Sequence, residues 1–117
     1  MGLVHIEGTV TGPAGVKATV RFLVDSGVTY SLLPEAVWTR VGLSPRRSQQ
    51  LTLADGTVME RRISECHILL HEGAAHTPVI LGEDDDQALL GVVTLEELGL
   101  VLNPFTRPLQ PMRMMLA

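Results

Sequence analysis

The chain has 117 residues, 45% hydrophobic and 19% charged, which is apolar enough for one core of ordinary size and excludes a disordered polypeptide. Its formal net charge of −4, with basic residues paired only sparsely as Arg46-Arg47 and Arg61-Arg62, argues against a nucleic-acid partner, whose phosphates call for a basic patch. The single cysteine, Cys66, excludes an intrachain disulfide framework and fits a reducing compartment, where it reads as a half-buried small hydrophobe.

Met1-Gly2-Leu3-Val4-His5-Ile6 lacks the basic start and sustained apolar core of a secretion signal. No apolar run approaches bilayer-spanning length, so the expectation is a cytoplasmic protein with no membrane partner. Val4, Ile6 and Val10 stand at even spacing, residues 16–24 are β-branched and apolar, and Gly12-Pro13-Ala14-Gly15 lies between the two runs. That pattern predicts a β-hairpin.

The second strand, ending Phe22-Leu23-Val24, leads directly into Asp25-Ser26-Gly27. A carboxylate placed at the end of a buried strand is costly to desolvate, so its position implies a task. Gly27 frees the backbone and Ser26 can hydrogen-bond locally, which lets the turn present the carboxylate instead of burying it. This is apparatus suited to acid–base hydrolysis by paired aspartates, in which two carboxylates share one proton. The chain holds a single Asp-Ser-Gly, so the second carboxylate must come from another copy, most simply across the two-fold axis of a homodimer. The other use of such a triplet is a turn in which the Asp side chain caps its own loop.

Pro34 to Gly42 predicts a short helix, with Pro34 in its first turn and Gly42 at its end, and Trp38 anchoring it to the sheet. Ala54-Asp55-Gly56, between Leu51, Leu53 and Val58, predicts a projecting hairpin with a two-residue type of turn. Residues 58–70 read as a long strand and 77–82 as another, joined by His71-Glu72-Gly73-Ala74-Ala75. The run Glu83-Asp84-Asp85-Asp86 lacks the alternating ligands of a calcium loop and reads as a solvated loop. Thr94-Leu95-Glu96-Glu97 has the form of a capping box opening a second helix that Gly99 ends. Val24-Asp25-Ser26-Gly27 before the first helix and Leu89-Leu90-Gly91 before the second faintly echo one another. No linker divides the chain, so a single domain over residues 1–117 is expected.

Phe22-Leu23-Val24-Asp25-Ser26-Gly27, Tyr30-Ser31-Leu32-Leu33-Pro34, Leu53-Ala54-Asp55-Gly56 and the stretch from Leu89 to Leu100 occur in the order found in the retropepsin-like aspartic proteases. The chain resembles that family, and in particular its single-domain bacterial members. The resemblance implies a mostly β, closed acid-protease barrel with one or two short helices, forming one subunit of a two-fold dimer. It implies that Asp25 is the catalytic residue and that Ser26, Gly27 and Val28 complete the active-site loop, with Ser26 bridging the dimer axis and Gly27 offering its backbone to substrate. Ala54, Asp55 and Gly56 would form the flap, and Leu89, Leu90 and Gly91 would support the Asp25 loop. The implied activity is endopeptidase cleavage of extended or unfolded polypeptide by an activated water, with no metal and no cofactor. Val28 departs from the small or hydroxyl residue usual in the family, and Asn103-Pro104 from the usual Asp-Pro. Since Val28 cannot donate a hydrogen bond to the carboxylate pair, activity is expected at milder acidity than in pepsin-like enzymes.

Two other readings compete. Cys66, His67, His71 and His76 could be assembled into a metal site, but their spacing matches no standard zinc pattern. A catalytically silent dimer of the same fold could bind peptides or assemble a complex, with Pro111-Met112-Arg113-Met114-Met115-Leu116 as an interface strand or docking surface.

Overall fold

A computed structural model of the chain describes residues 3–102 and 109–112. Strands β1 (His5–Thr11) and β2 (Lys17–Val24) form the predicted hairpin, paired from His5↔Leu23 to Thr11↔Lys17. Along β2, Ala18, Val20, Phe22 and Val24 are buried while Lys17, Thr19 and Arg21 are exposed, the period-two pattern of a strand with one face on a core. Phe22 is fully buried, which contributes roughly 1.5–3 kcal/mol relative to leaving it in water.

A short strand β3 (Ser31–Leu33) precedes helix α1 (Glu35–Arg40). Pro34 caps the helix instead of sitting in its first turn, because its ψ of 158° continues the extended backbone of β3. Trp38 anchors α1 as expected, its indole Nε1 donating to the carbonyl of Gly82 at 2.8 Å. Strands β4 (Arg47–Thr52) and β5 (Val58–Leu70) make the second hairpin. β6 (Gly73–Leu81) begins four residues before the predicted strand, since Leu70 pairs with Gly73 and only His71 and Glu72 form the turn. The weakly apolar stretch Gly73-Ala74-Ala75-His76 carries little strand signal of its own; its pairing with β5 extends it.

The 7-stranded sheet runs β1-β2-β7-β3-β6-β5-β4, where β7 is Leu89–Leu90. It curls into a ring because β1 also pairs with β5, from Thr9↔Leu69 to Thr11↔His67. β5 therefore shares one edge between two partners: β1 takes its C-terminal end and β4 its N-terminal end. The β4–β5 hairpin consequently projects off the ring. Inside the ring lie Val10, Phe22, Leu33, Ile68, Val79 and Leu90, all fully buried or nearly so. Helix α2 (Val92–Glu97) follows β7, and β8 (Leu100–Leu102) pairs with β9 (Leu109–Pro111) in a separate two-stranded sheet.

The capping-box reading of Thr94 is corrected. Helix α2 starts three residues earlier, at Val92 with Gly91 at the cap, and Thr94 is fully buried inside it. The acidic run is largely solvated, with Glu83 paired to Arg61 at 3.3 Å. His67 and His76 face each other across β5 and β6, ring centroids 5.2 Å apart, while His71 lies in the turn and Cys66 is buried in the core. Among the described residues no group of three or more His, Cys, Asp or Glu is placed to hold a metal ion. Among the same residues no helix is long and apolar enough to cross a membrane. Asn103-Pro104 and residues 113–116 of the Met-rich tail lie outside the described residues.

Candidate active site

Asp25 stands one residue beyond β2, and its backbone is held by the strand that lies beside it. β2 and β7 pair in parallel, Leu23↔Leu89 and Val24↔Leu90, and the amide of Asp25 donates to the carbonyl of Leu90 at 3.0 Å. The turn is closed by the amide of Gly27, which donates to Asp25 Oδ1 at 2.9 Å, and by that of Val28, which donates to the Asp25 carbonyl at 3.3 Å. Asp25 is half-buried and Ser26 and Gly27 are exposed, and the bond from Gly27 is the loop-capping use of the Asp side chain that the sequence also allowed.

The next residues are tied to α2. The amides of Val92 and Val93 donate to the carbonyls of Val28 and Thr29, each at 2.9 Å, which satisfies two first-turn donors that a helix leaves unpaired. Gly91 makes this approach possible. A Cβ there would stand 2.6 Å from the carbonyl carbon of Tyr30 and 2.9 Å from the Thr29 oxygen, backbone atoms that cannot swing aside. The amide of Gly91 donates to Ser31 Oγ at 3.0 Å; Ser31 Oγ lies 2.6 Å from Thr94 Oγ1, which in turn lies 2.8 Å from Thr77 Oγ1. All three hydroxyl residues are buried, and each finds its partner in the others. The faint echo between the two segments thus corresponds to physical contact, with Leu89-Leu90-Gly91 seated directly beneath the Asp25 loop.

The β4–β5 hairpin ends in a tight tip. The amide of Gly56 donates to the Leu53 carbonyl at 2.9 Å and that of Leu53 to the Thr57 carbonyl at 2.8 Å. This is a three-residue connection, Ala54-Asp55-Gly56, in place of the two-residue turn predicted, and Gly56 supplies its left-handed position at φ 89°. Asp55 Oδ1 accepts from the amide of Thr57 at 2.9 Å, and that bond holds the Asp55 carboxyl below its usual range. Ala54, Asp55 and Gly56 are all exposed.

A cleft of about 420 Å³ is lined by Gly27, Val28, Thr29 and Tyr30, by residues 49–53 of the hairpin and by Ile80. Asp25 does not line it but belongs to the same turn as Gly27, whose amide it accepts. A second concavity of about 370 Å³, between Thr11-Gly12-Pro13, Arg46 and His67, shares no residue with the loop or the hairpin tip. Of the residues singled out in the sequence, Gly27 and Val28 line this cleft together with residues 49–53 of the hairpin, while Asp25, Ala54, Asp55 and Gly56 do not. The sequence reading missed the Ser31–Thr94–Thr77 hydroxyls and the contact of Arg47 with Tyr30 and Gln49. An isolated Ser beginning the apolar run Ser31-Leu32-Leu33 was the available signal for the first; nothing local marked the second.

A closed ring of strands carrying an Asp-Ser-Gly turn beside a Leu-Leu-Gly strand defines the acid-protease class. Residues 14–97 match the family described as "gag-polyprotein putative aspartyl protease", and the chain belongs to that retropepsin-like aspartic protease family. Among solved structures it is similar to the EIAV protease complexed with the inhibitor HBY-793, at 19% identity and TM-score 0.62 over 84% of this chain and 89% of that one. It is also similar to the simian foamy virus (mac) protease, at 17% identity and TM-score 0.58 over 81% and 94%. At such identities the likeness establishes the fold. No curated protein matches the sequence.

Proposed function

We propose that the chain is a single-domain aspartic endopeptidase that acts as a homodimer, each copy contributing one Asp25. The observation that carries this reading is the placement of Asp25: a half-exposed side chain just beyond β2, its backbone amide fixed on the Leu90 carbonyl, in a turn whose Gly27 and Val28 line a cleft. Each chain supplies one carboxylate, and a two-fold axis passing by Ser26 brings in the second.

In such a dimer the paired carboxylates share a proton, since two like charges in close contact do not both ionise. The ionised Asp25 takes a proton from a water held between the pair, the water attacks the scissile carbonyl, and the protonated partner steadies the developing oxyanion and then protonates the leaving amine. Gly27 offers backbone groups to an extended peptide, and the Ala54-Asp55-Gly56 tip closes over it, excluding bulk water. Extended or unfolded polypeptide is therefore the substrate. Neither a cofactor nor a metal has a part in this chemistry.

The test is cleavage of an unfolded protein by wild type and by Asp25→Asn, alongside sedimentation analysis. Cleavage that Asp25→Asn abolishes while the dimer persists supports the reading. A wild-type dimer inert from acidic to neutral pH contradicts it and favours a peptide-binding module of the same fold.

A further inference from the structure

We propose that Arg47 is a specificity-determining residue that selects peptides carrying an acidic side chain close to the cleavage point, an inference that rests on the protease reading above. Arg47 is not itself a wall of the cleft, but its guanidinium rests on two residues that are. One nitrogen donates to Gln49 Oε1 at 2.8 Å and another to the Tyr30 hydroxyl at 3.3 Å, with the guanidinium carbon 5.7 Å from the centre of the Tyr30 ring. Side chains alternate along a strand, so Arg47 shares a face of β4 with Gln49 and Leu51; both line the cleft, as do Gln50 and Thr52 from the other face, and it is the bonds to Gln49 and Tyr30 that place the guanidinium beside it. The neighbouring Arg46 lines the other concavity instead.

A guanidinium held at two points has lost much of the rotamer freedom that weakens exposed ion pairs. Gln49 and Tyr30 engage two of its five N–H donors, leaving the rest available for a carboxylate. Among the described residues no carboxylate pairs with Arg47; the one ion pair there joins Arg61 to Glu83. The hairpin's own acid, Asp55, is engaged with the Thr57 amide. A positioned positive charge, unpaired with any carboxylate among the described residues, thus sits against two residues of the cleft lining.

An extended peptide lying in the cleft shows side chains on one side at every second residue, about 6.6–6.8 Å apart, so one guanidinium addresses one side chain. A two-fold dimer carries two such guanidinia. The preference for Glu or Asp accordingly falls at one position on each side of the scissile bond. For a pair at a partly exposed rim the expected discrimination between Glu and Lys is about fivefold, shrinking as salt screens the charge.

The experiment uses fluorogenic peptides that differ only by Glu, Gln or Lys walked through the positions flanking the cut. They are assayed for kcat/KM with wild type, R47Q and R47E, and for Kd by fluorescence anisotropy with each of these in an Asp25→Asn background. The proposal predicts a Glu-over-Lys ratio of about five at one position on each side, near one in R47Q and inverted in R47E. A merely structural clip on Tyr30 would instead weaken Glu and Lys peptides alike. Should R47E fail to fold, R47Q and the salt dependence of the wild-type ratio decide. Equal treatment of Glu and Lys by wild type, or a ratio unchanged in the Arg47 variants, overturns the proposal. Charge-selective binding without any cleavage would leave it standing and refute hydrolysis instead.

Discussion

The hydroxyls of Ser31 and Thr94, 63 residues apart in the chain, meet at 2.6 Å in the buried interior and join the strand after the Asp25 loop to the helix beneath it. Thr94 also reaches Thr77 on β6, so one hydroxyl links three elements. Replacing it with Val keeps the shape and leaves Ser31 and Thr77 each short of a partner, which costs about 1–3 kcal/mol. Urea denaturation should show that loss for Thr94→Val and much less of it for Thr94→Ser. Because Ser31 receives the amide of Gly91 next to the loop, Thr94→Val should also lower kcat more than it changes KM.

Much of the fold was legible because its signals are local. The β1–β2 hairpin, the long strand from Val58 to Leu70 and the Asp25 turn each rest on alternation or turn chemistry within a few residues. Thr94 was misread for the complementary reason. Its sequence neighbours have the form of a capping box, whereas its burial is decided by Ser31 and Thr77 across the ring. The same holds for β6, whose first residues become a strand only by pairing with β5, and for Arg47, whose partner Tyr30 lies 17 residues away. The site's parts were legible one by one; the contacts that hold them at fixed distances were not.

Asp55 makes the hairpin tip sensitive to acid. Its carboxyl is held below its usual range by the Thr57 amide, so its contribution is fully present above the ordinary aspartate value and is lost as pH falls through the lower value in the folded chain. Hydrogen exchange at the Thr57 amide should be protected at neutral pH. That protection should fall away at strongly acidic pH and be absent at every pH in Asp55→Ala.

Cys66 is buried, and burial pushes its thiol up to about 12. The folded chain keeps it protonated where an unfolded chain begins to ionise near the ordinary thiol value, so stability is unaffected below that value and declines as pH rises toward 12. Native protein at pH 8 should resist alkylation by iodoacetamide, and denatured protein should react at once. Cys66→Ala should flatten the alkaline decline in stability.

Val28 follows Gly27, lines the cleft and has no hydroxyl to offer the carboxylate pair of the proposed dimer. Val28→Ser would add a donor that favours the ionised pair, extending the acid limb of the kcat/KM profile to lower pH. An acid limb that does not move in Val28→Ser, or a wild-type optimum as acidic as that of pepsin, would contradict this account of the loop.

The proposed sharing of one site by two chains is tested most directly by mixing wild-type chains with Asp25→Asn chains, letting subunits exchange, and measuring cleavage as the wild-type fraction is lowered. Two carboxylates acting across a two-fold axis predict activity falling as the square of that fraction, because every mixed dimer is silent. Activity falling in simple proportion to the wild-type fraction would mean that one chain suffices, and would contradict the account.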